Sequence, residues 1–159
     1  MATVDVTVMG AGVFGLSVAY ACLLRGAKVQ VIDPAGVGTG ASGGIIGALA
    51  PHVPEQWNPK KAFQLDSLLM QGAFWEQVGA RSGMPTGYAC NGRLQPLADV
   101  AAVDLAQARA RSARSLWQGQ ATWDVIPSPT VDWAPPSPSG QVVFDTLSAL
   151  IHPRQATLA

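Results

Sequence analysis

The period of the apolar positions changes several times along the chain. Residues 3–9, Thr-Val-Asp-Val-Thr-Val-Met, are short, rich in β-branched side chains and followed by glycine, which predicts a buried strand. Over 13–25, Val13, Leu16, Ala19, Tyr20, Leu23 and Leu24 fall at helical spacing, and Gly26 supplies the stop. Lys-Val-Gln-Val-Ile at 28–32 predicts a second strand closing on Asp33-Pro34. Strand, glycine turn, helix and strand make a βαβ unit, with parallel strands and a right-handed crossover. Residues 36–47 are rich in Gly, Ala, Ser and Thr. A helix follows over 59–82, where Phe63, Leu65, Leu68, Leu69, Trp75 and Val78 form one apolar face. The pattern then predicts a strand at 92–97 and a helix with Ala and Arg throughout at 98–117. Beyond lie a Ser/Pro-rich loop holding Pro127, Pro129, Pro135, Pro136 and Pro138, a strand at 140–144, and the opening of a new helix at 155–159.

Two parallel strands and one crossover cannot make an α/β sheet covered on both faces. The pattern therefore reads as the N-terminal portion of a longer protein. Composition adds that the chain is folded, with 48% hydrophobic and 13% charged residues. Its mean hydropathy of +0.22 leaves apolar surface that is normally covered and is available for self-association. Ten basic and ten acidic residues cancel, which removes any global electrostatic case for nucleic acid or an anionic membrane. The run from Val6 to Leu24 is uncharged and long enough to be mistaken for a membrane span or an export signal. Asp5 stands where a signal needs basic residues, and Gly10, Gly12 and Gly15 break the run. The expected location is cytoplasmic, with no membrane span. Cys22 and Cys90 make neither a disulfide framework nor a metal cluster.

The candidate chemistry starts at Gly10-Ala11-Gly12-Val13-Phe14-Gly15, which fits G-x-G-x-x-G. Gly10 permits the tight turn off the strand, Gly12 lets a pyrophosphate approach the backbone, and Gly15 lets helix and strand pack closely. The amides of Val13 and Phe14 would point at the phosphates with a favourable helix dipole. The hexapeptide is weak by itself. Here it follows a strand, opens a helix, and precedes an acid at the end of the next strand by about 20 residues. That acid, Asp33, can accept both hydrogen bonds of a ribose diol, and no Arg follows it to welcome a 2′-phosphate.

The second glycine-rich segment, Gly38-Thr39-Gly40-Ala41-Ser42-Gly43-Gly44-Ile45-Ile46-Gly47-Ala48-Leu49-Ala50-Pro51-His52, is small and uncharged apart from His52. Together with the first motif it resembles the D-amino acid oxidase (DAO) family of FAD-dependent oxidoreductases, which includes glycine oxidase and D-amino acid dehydrogenases. The residues that carry the resemblance are Gly10, Gly12, Gly15 and Asp33, then Ala41-Ser42 through Gly47-Ala48-Leu49. It continues more loosely through Phe74-Trp75, Asn91-Gly92-Arg93-Leu94 and Ile151-His152-Pro153. The resemblance implies an α/β fold: a Rossmann-type FAD-binding segment with a parallel sheet over 1–88, and the start of an α+β substrate domain over 89–159. It implies FAD as cofactor and an amine or amino acid as the small-molecule substrate. The chemistry would be hydride transfer from the substrate Cα–H to flavin N5. Ala41, Ser42, Gly47, Ala48 and Leu49 would serve the stretch from phosphate to flavin. The cofactor does the chemistry, so no catalytic acid–base pair is assigned.

Three other readings stay open at this level. An NAD-dependent Rossmann dehydrogenase fits the start of the chain but leaves 38–52 unexplained. A flavoprotein acting on a modified tRNA uridine shares the Ala-Ser-Gly turn but calls for a basic partner surface. A truncated dinucleotide-binding fragment would fold or dimerise without turnover. Among individual residues, His52 reads as a loop histidine with a backbone partner and His152 as a turn residue beside Pro153. Cys22 reads as a core residue of the crossover helix, Cys90 as a thiol without an activating neighbour, and Arg109, Arg111 and Arg114 as a solvated helix face. The five tryptophans read as core or interdomain contacts.

Overall fold

The computed structural model describes residues 3–159. The elements in chain order are β1 (Val6–Met9), α1 (Val13–Leu23), β2 (Val29–Ile32), a single 3-10 turn (Ala41–Gly43), β3 (Gly47–Leu49), α2 (Pro59–Ser82), β4 (Arg93–Pro96), α3 (Val100–Leu116), β5 (Trp123–Pro127), β6 (Gln141–Asp145), β7 (Ala149–Ile151) and α4 (Pro153–Leu158). They gather into two compact units, threaded rather than consecutive. The first comprises the segment ending at Gly47 together with Phe74–Tyr88 and Ile151–Ala159; the second comprises Ala48–Ala73 and Ala89–Leu150. The chain therefore passes from one unit to the other several times. The α/β class expected from the sequence is what the chain adopts, parallel strand pair included.

In the first unit β1 and β2 pair in parallel from Val6↔Val29 to Met9↔Ile32, with α1 as the crossover. The ladder runs one step into the turn, where the Gly10 N–H donates to the Ile32 carbonyl at 2.8 Å. Val8 and Ala19 are buried, whereas Met9 stays 74% exposed and Ile32 41%. A groove of about 490 Å³ runs along α1, the last turns of α2 and α4, lined by Leu16, Tyr20, Phe74, Val78, Arg81 and Leu158 among others. The Tyr20 ring meets Phe74 edge-on at 6.0 Å between centroids.

The second unit holds the main core. β4, β6 and β5 form an antiparallel sheet with β6 in the centre, in register from Arg93↔Asp145 and Trp123↔Asp145. Asp99 caps α3, its side chain accepting the Ala102 N–H at 2.8 Å. Val103, Ala106, Ala110, Ala113 and Trp117 follow three or four residues apart on one face of that helix and are all buried. The small alanines let the helix axis approach the sheet, and Trp117 fills the end, edge-on to Trp123. Leu65, Leu68, Leu97, Val143 and Leu147 complete the cluster. Asp145 is fully enclosed, with the Ser148 N–H at 2.8 Å and Arg93 Nε at 3.3 Å.

Several expectations are corrected here. Phe63, placed on the apolar face of α2, is 77% exposed, and Trp133 is 76% exposed rather than in a core. Arg109 does not belong to a solvated face: it makes a bidentate pair with Glu55, at 2.8 and 3.0 Å. Strands β3, β5 and β7 lie where the pattern gave none, and the last helix opens at Pro153 rather than 155. Pro153 holds the first helical position, and His152 caps the helix through Nδ1, which accepts the Gln155 N–H at 3.3 Å.

Candidate functional site

The site is built on the turn between β1 and α1. Gly10 has φ +105°, a conformation that side-chain-bearing residues avoid, and it swings the chain off the strand. Gly15 lies where α1 crosses β1. A Cβ there would run into the Gly10 carbonyl and come within 3.2 Å of Val8 Cγ1. Helix α1 has no side-chain cap from its own N-cap residue, Gly12. Its first N–H, from Val13, instead donates to Ser42 Oγ at 2.9 Å, across 29 residues of sequence. The amides of Phe14 and Gly15 belong to the same first turn and have no carbonyl one turn earlier to meet. This is the arrangement that favours an anion.

Asp33 closes β2 beneath this turn. Its Oδ2 accepts the Ala11 N–H at 2.8 Å, and its Oδ1 accepts those of Ala35 at 2.8 Å and Gly36 at 3.0 Å. The Ala11 bond, followed by the Ala35 bond, holds the carboxyl below its usual range, with desolvation acting the other way and the Gly36 bond adding to the lowering.

The second glycine segment packs onto the first. The Gly38 N–H donates to the Ala11 carbonyl at 2.9 Å, and a Cβ on Gly12 would stand 3.2 Å from Ser42 Oγ. From the other side α4 supports it. The Arg154 N–H donates to the Gly44 carbonyl at 3.0 Å, and the buried Thr157 hydroxyl sits against the Gly38 Cα. Thr157 and Arg154 were not singled out from the sequence; the Pro at 153 was the available signal that a helix starts there.

The structure therefore brings together Gly10, Gly12, Val13, Phe14, Gly15, Asp33, Ala41, Ser42 and Gly47 in one unit. Ala48 and Leu49 belong to the other unit, where Leu49 packs against the main core. The Phe14 side chain is 88% exposed, so its contribution to the turn is its backbone. The His52 side chain is exposed and its N–H donates to Gln64 Oε1 at 2.7 Å. Cys22 is half-buried rather than enclosed, and Cys90 is exposed. None of Gly10, Gly12, Asp33 and Ser42 lines the apolar groove. Among the described residues no helix is long and apolar enough to cross a membrane.

The cradle fits a dinucleotide. A turn without side chains at Gly10, Gly12 and Gly15, first-turn amides of α1, a hydroxyl at Ser42 and a carboxylate at Asp33 are the donor and acceptor set that a pyrophosphate and a ribose require.

No curated protein matches the sequence. Among solved structures, the L-amino acid deaminase from Proteus myxofaciens in complex with anthranilate superposes with a TM-score of 0.76 at 21% identity, over 99% of this chain and 35% of that one. Glycine oxidase from Geobacillus kaustophilus gives 0.75 at 16% identity, over 98% of this chain and 42% of that one. Iminodiacetate oxidase from Chelativorans sp. BNC1 gives 0.72 at 20% identity, over 96% and 42%. These likenesses show a shared fold, and the chain spans about two fifths of the length of such structures. A family model described as FAD dependent oxidoreductase (DAO) matches residues 5–159. The chain belongs to the DAO family of FAD-dependent oxidoreductases, whose cofactor is FAD.

Proposed function

We propose that this chain supplies the dinucleotide-holding part of an oxidoreductase that acts on an amine or amino acid. The observation that carries this reading is the constellation of Gly10, Gly12 and Gly15 with Ser42 on the Val13 N–H and Asp33 beneath the turn. Gly10, Gly12 and Gly15 hold the pyrophosphate with the Phe14 amide and with the Val13 amide, which exchanges the Ser42 hydroxyl for a phosphate oxygen, and Asp33 meets the adenosine ribose. Ala41, Ser42 and Gly47 serve the stretch from phosphate to flavin. The chemistry that FAD supplies when bound is acceptance of a hydride from the substrate Cα–H at N5, leaving an imine that hydrolyses. This chain's residues bind and orient. In the proposed organisation, residues 1–88 carry the cofactor part and 89–159 begin the substrate part.

Equilibrium binding of FAD and of NAD to the 159-residue chain, read by flavin fluorescence quenching and by calorimetry, tests the reading. FAD is expected to bind and NAD to bind at least tenfold more weakly, a difference of roughly 1.4 kcal/mol. Preference for NAD, or equal FAD binding by wild type and a Gly12→Val variant, would overturn it.

A further inference from the structure

The Asp33 carboxylate makes more bonds inside the chain than a ribose clamp needs. A carboxylate offers about four lone-pair sites. The Ala35 and Gly36 N–H groups occupy Oδ1 and the Ala11 N–H occupies one site on Oδ2, so the free site is on Oδ2. Asp33 can therefore take one ribose hydroxyl while its present bonds persist, not the pair expected from the sequence.

The Ala11 bond has a geometric consequence. It pins the Gly10–Ala11 peptide to the end of β2, 22 residues away. The next peptide is pinned as well, because the Ala11 carbonyl accepts the Gly38 N–H at 2.9 Å. Peptides are planar, and none in the described chain is cis. With the Ala11 carbonyl turned toward Gly38, the Gly12 N–H on the same peptide must point the opposite way. Two successive peptides of a segment containing glycines, the most permissive residues, are thereby fixed. Ala11 itself is 3% exposed, so water cannot readily replace the carboxylate.

We propose that Asp33 is a positioning residue for the phosphate turn: by clasping Ala11 it fixes the backbone on which the Gly12 and Val13 amides are carried, and it takes a single ribose hydroxyl. The proposal rests on the dinucleotide reading and deepens it. Its partners are all backbone N–H groups, and neither ion pair formed among the described residues, Arg93–Asp145 or Arg109–Glu55, involves it.

The first arm of the test needs neither cofactor nor variant. In ¹H–¹⁵N spectra of the wild-type chain, the Ala11 amide is expected to follow a carboxylate titration whose midpoint lies below the usual aspartate range. An Ala11 amide that ignores that titration overturns the clasp. The second arm compares wild type and Asp33→Asn by calorimetry with inorganic pyrophosphate and with ADP. Removing a negative charge would by itself tighten binding of an anion. Loss of the clasp acts the other way, and pyrophosphate has no ribose. The variant is expected to bind pyrophosphate roughly three- to tenfold more weakly, the scale of one lost hydrogen bond, and ADP more weakly still. Equal or tighter pyrophosphate binding with weaker ADP binding makes Asp33 a ribose ligand alone and overturns the proposal. A wild-type chain that binds neither ligand overturns the dinucleotide reading, while the Ala11 titration still decides the clasp.

Discussion

Replacing Gly15 by alanine sets two effects of opposite sign against each other. Gly15 lies inside α1, and alanine is the better helix former by about 1 kcal/mol, so propensity alone gives a more stable chain. The added Cβ, however, would meet the Gly10 carbonyl and stand 3.2 Å from Val8 Cγ1. The carbonyl is main chain and cannot rotate away. Gly10 is itself held, its N–H on the Ile32 carbonyl at 2.8 Å. Relief requires α1 to lift from β1, and overpacking of this kind costs about 1–3 kcal/mol. The clash is with backbone, so the upper part of that range applies, and the net expectation is a loss of about 1–2 kcal/mol. Gly72 provides the control. It lies within α2, is exposed, and has nothing within 4 Å of an added Cβ. Gly72→Ala should therefore gain about 0.5–1 kcal/mol. Urea unfolding followed by far-ultraviolet circular dichroism reads both. With a slope of about 2 kcal/mol per molar urea, the midpoints should move by roughly 0.5 M in opposite directions. A gain for both variants would refute the close approach of helix and strand at Gly15.

Other expectations follow from the second unit. Trp117, 1% exposed and edge-on to Trp123, should cost about 3–5 kcal/mol when replaced by alanine, measured by the same unfolding curves, and less than half as much when replaced by phenylalanine. The Glu55 carboxyl is held below its usual range, first by its hydrogen bond from Arg109. A depressed folded pKa gives stability that is present above the unfolded value of about 4.3 and is lost as pH falls through the folded value. The pair is partly exposed, at 24% and 36%, so screening limits the effect to less than about 1 kcal/mol. Stability measured between pH 6 and about pH 3 should thus fall less steeply at the acid end in Glu55→Gln than in wild type.

The βαβ unit was legible because each of its parts carries a local signal: β-branched residues in the strands, glycines at the turn, and an acid at the end of the second strand. The Gly10–Gly15 turn and Asp33 are where the sequence put them. The missed strands lack such signals. β5 reads Trp-Asp-Val-Ile-Pro and ends on a proline, which an edge strand tolerates at its terminus. β3 and β7 are short and pair with each other across most of the sequence, so no local period reveals them. The burial of α3 was hidden because its core face is mostly alanine, a residue whose presence marks helix without marking which side packs. Arg109 was misread for a related reason: its partner Glu55 is 54 residues away. Within the site, the two acceptor roles that organise the turn, Ser42 toward Val13 and Asp33 toward Ala11, depend on tertiary approach and have no sequence pattern of their own.

Chemical-shift mapping of the ¹⁵N-labelled chain during titration with FAD tests the central claim most directly. The largest changes should fall on Gly10 to Gly15, Asp33 to Gly36 and the 38–47 segment, with the amides of Val13 and Gly12 foremost. Changes confined to the groove residues Leu16, Tyr20, Phe74 and Val78, or to the β4–β6–β5 sheet, with the glycine turn unmoved, would contradict the account.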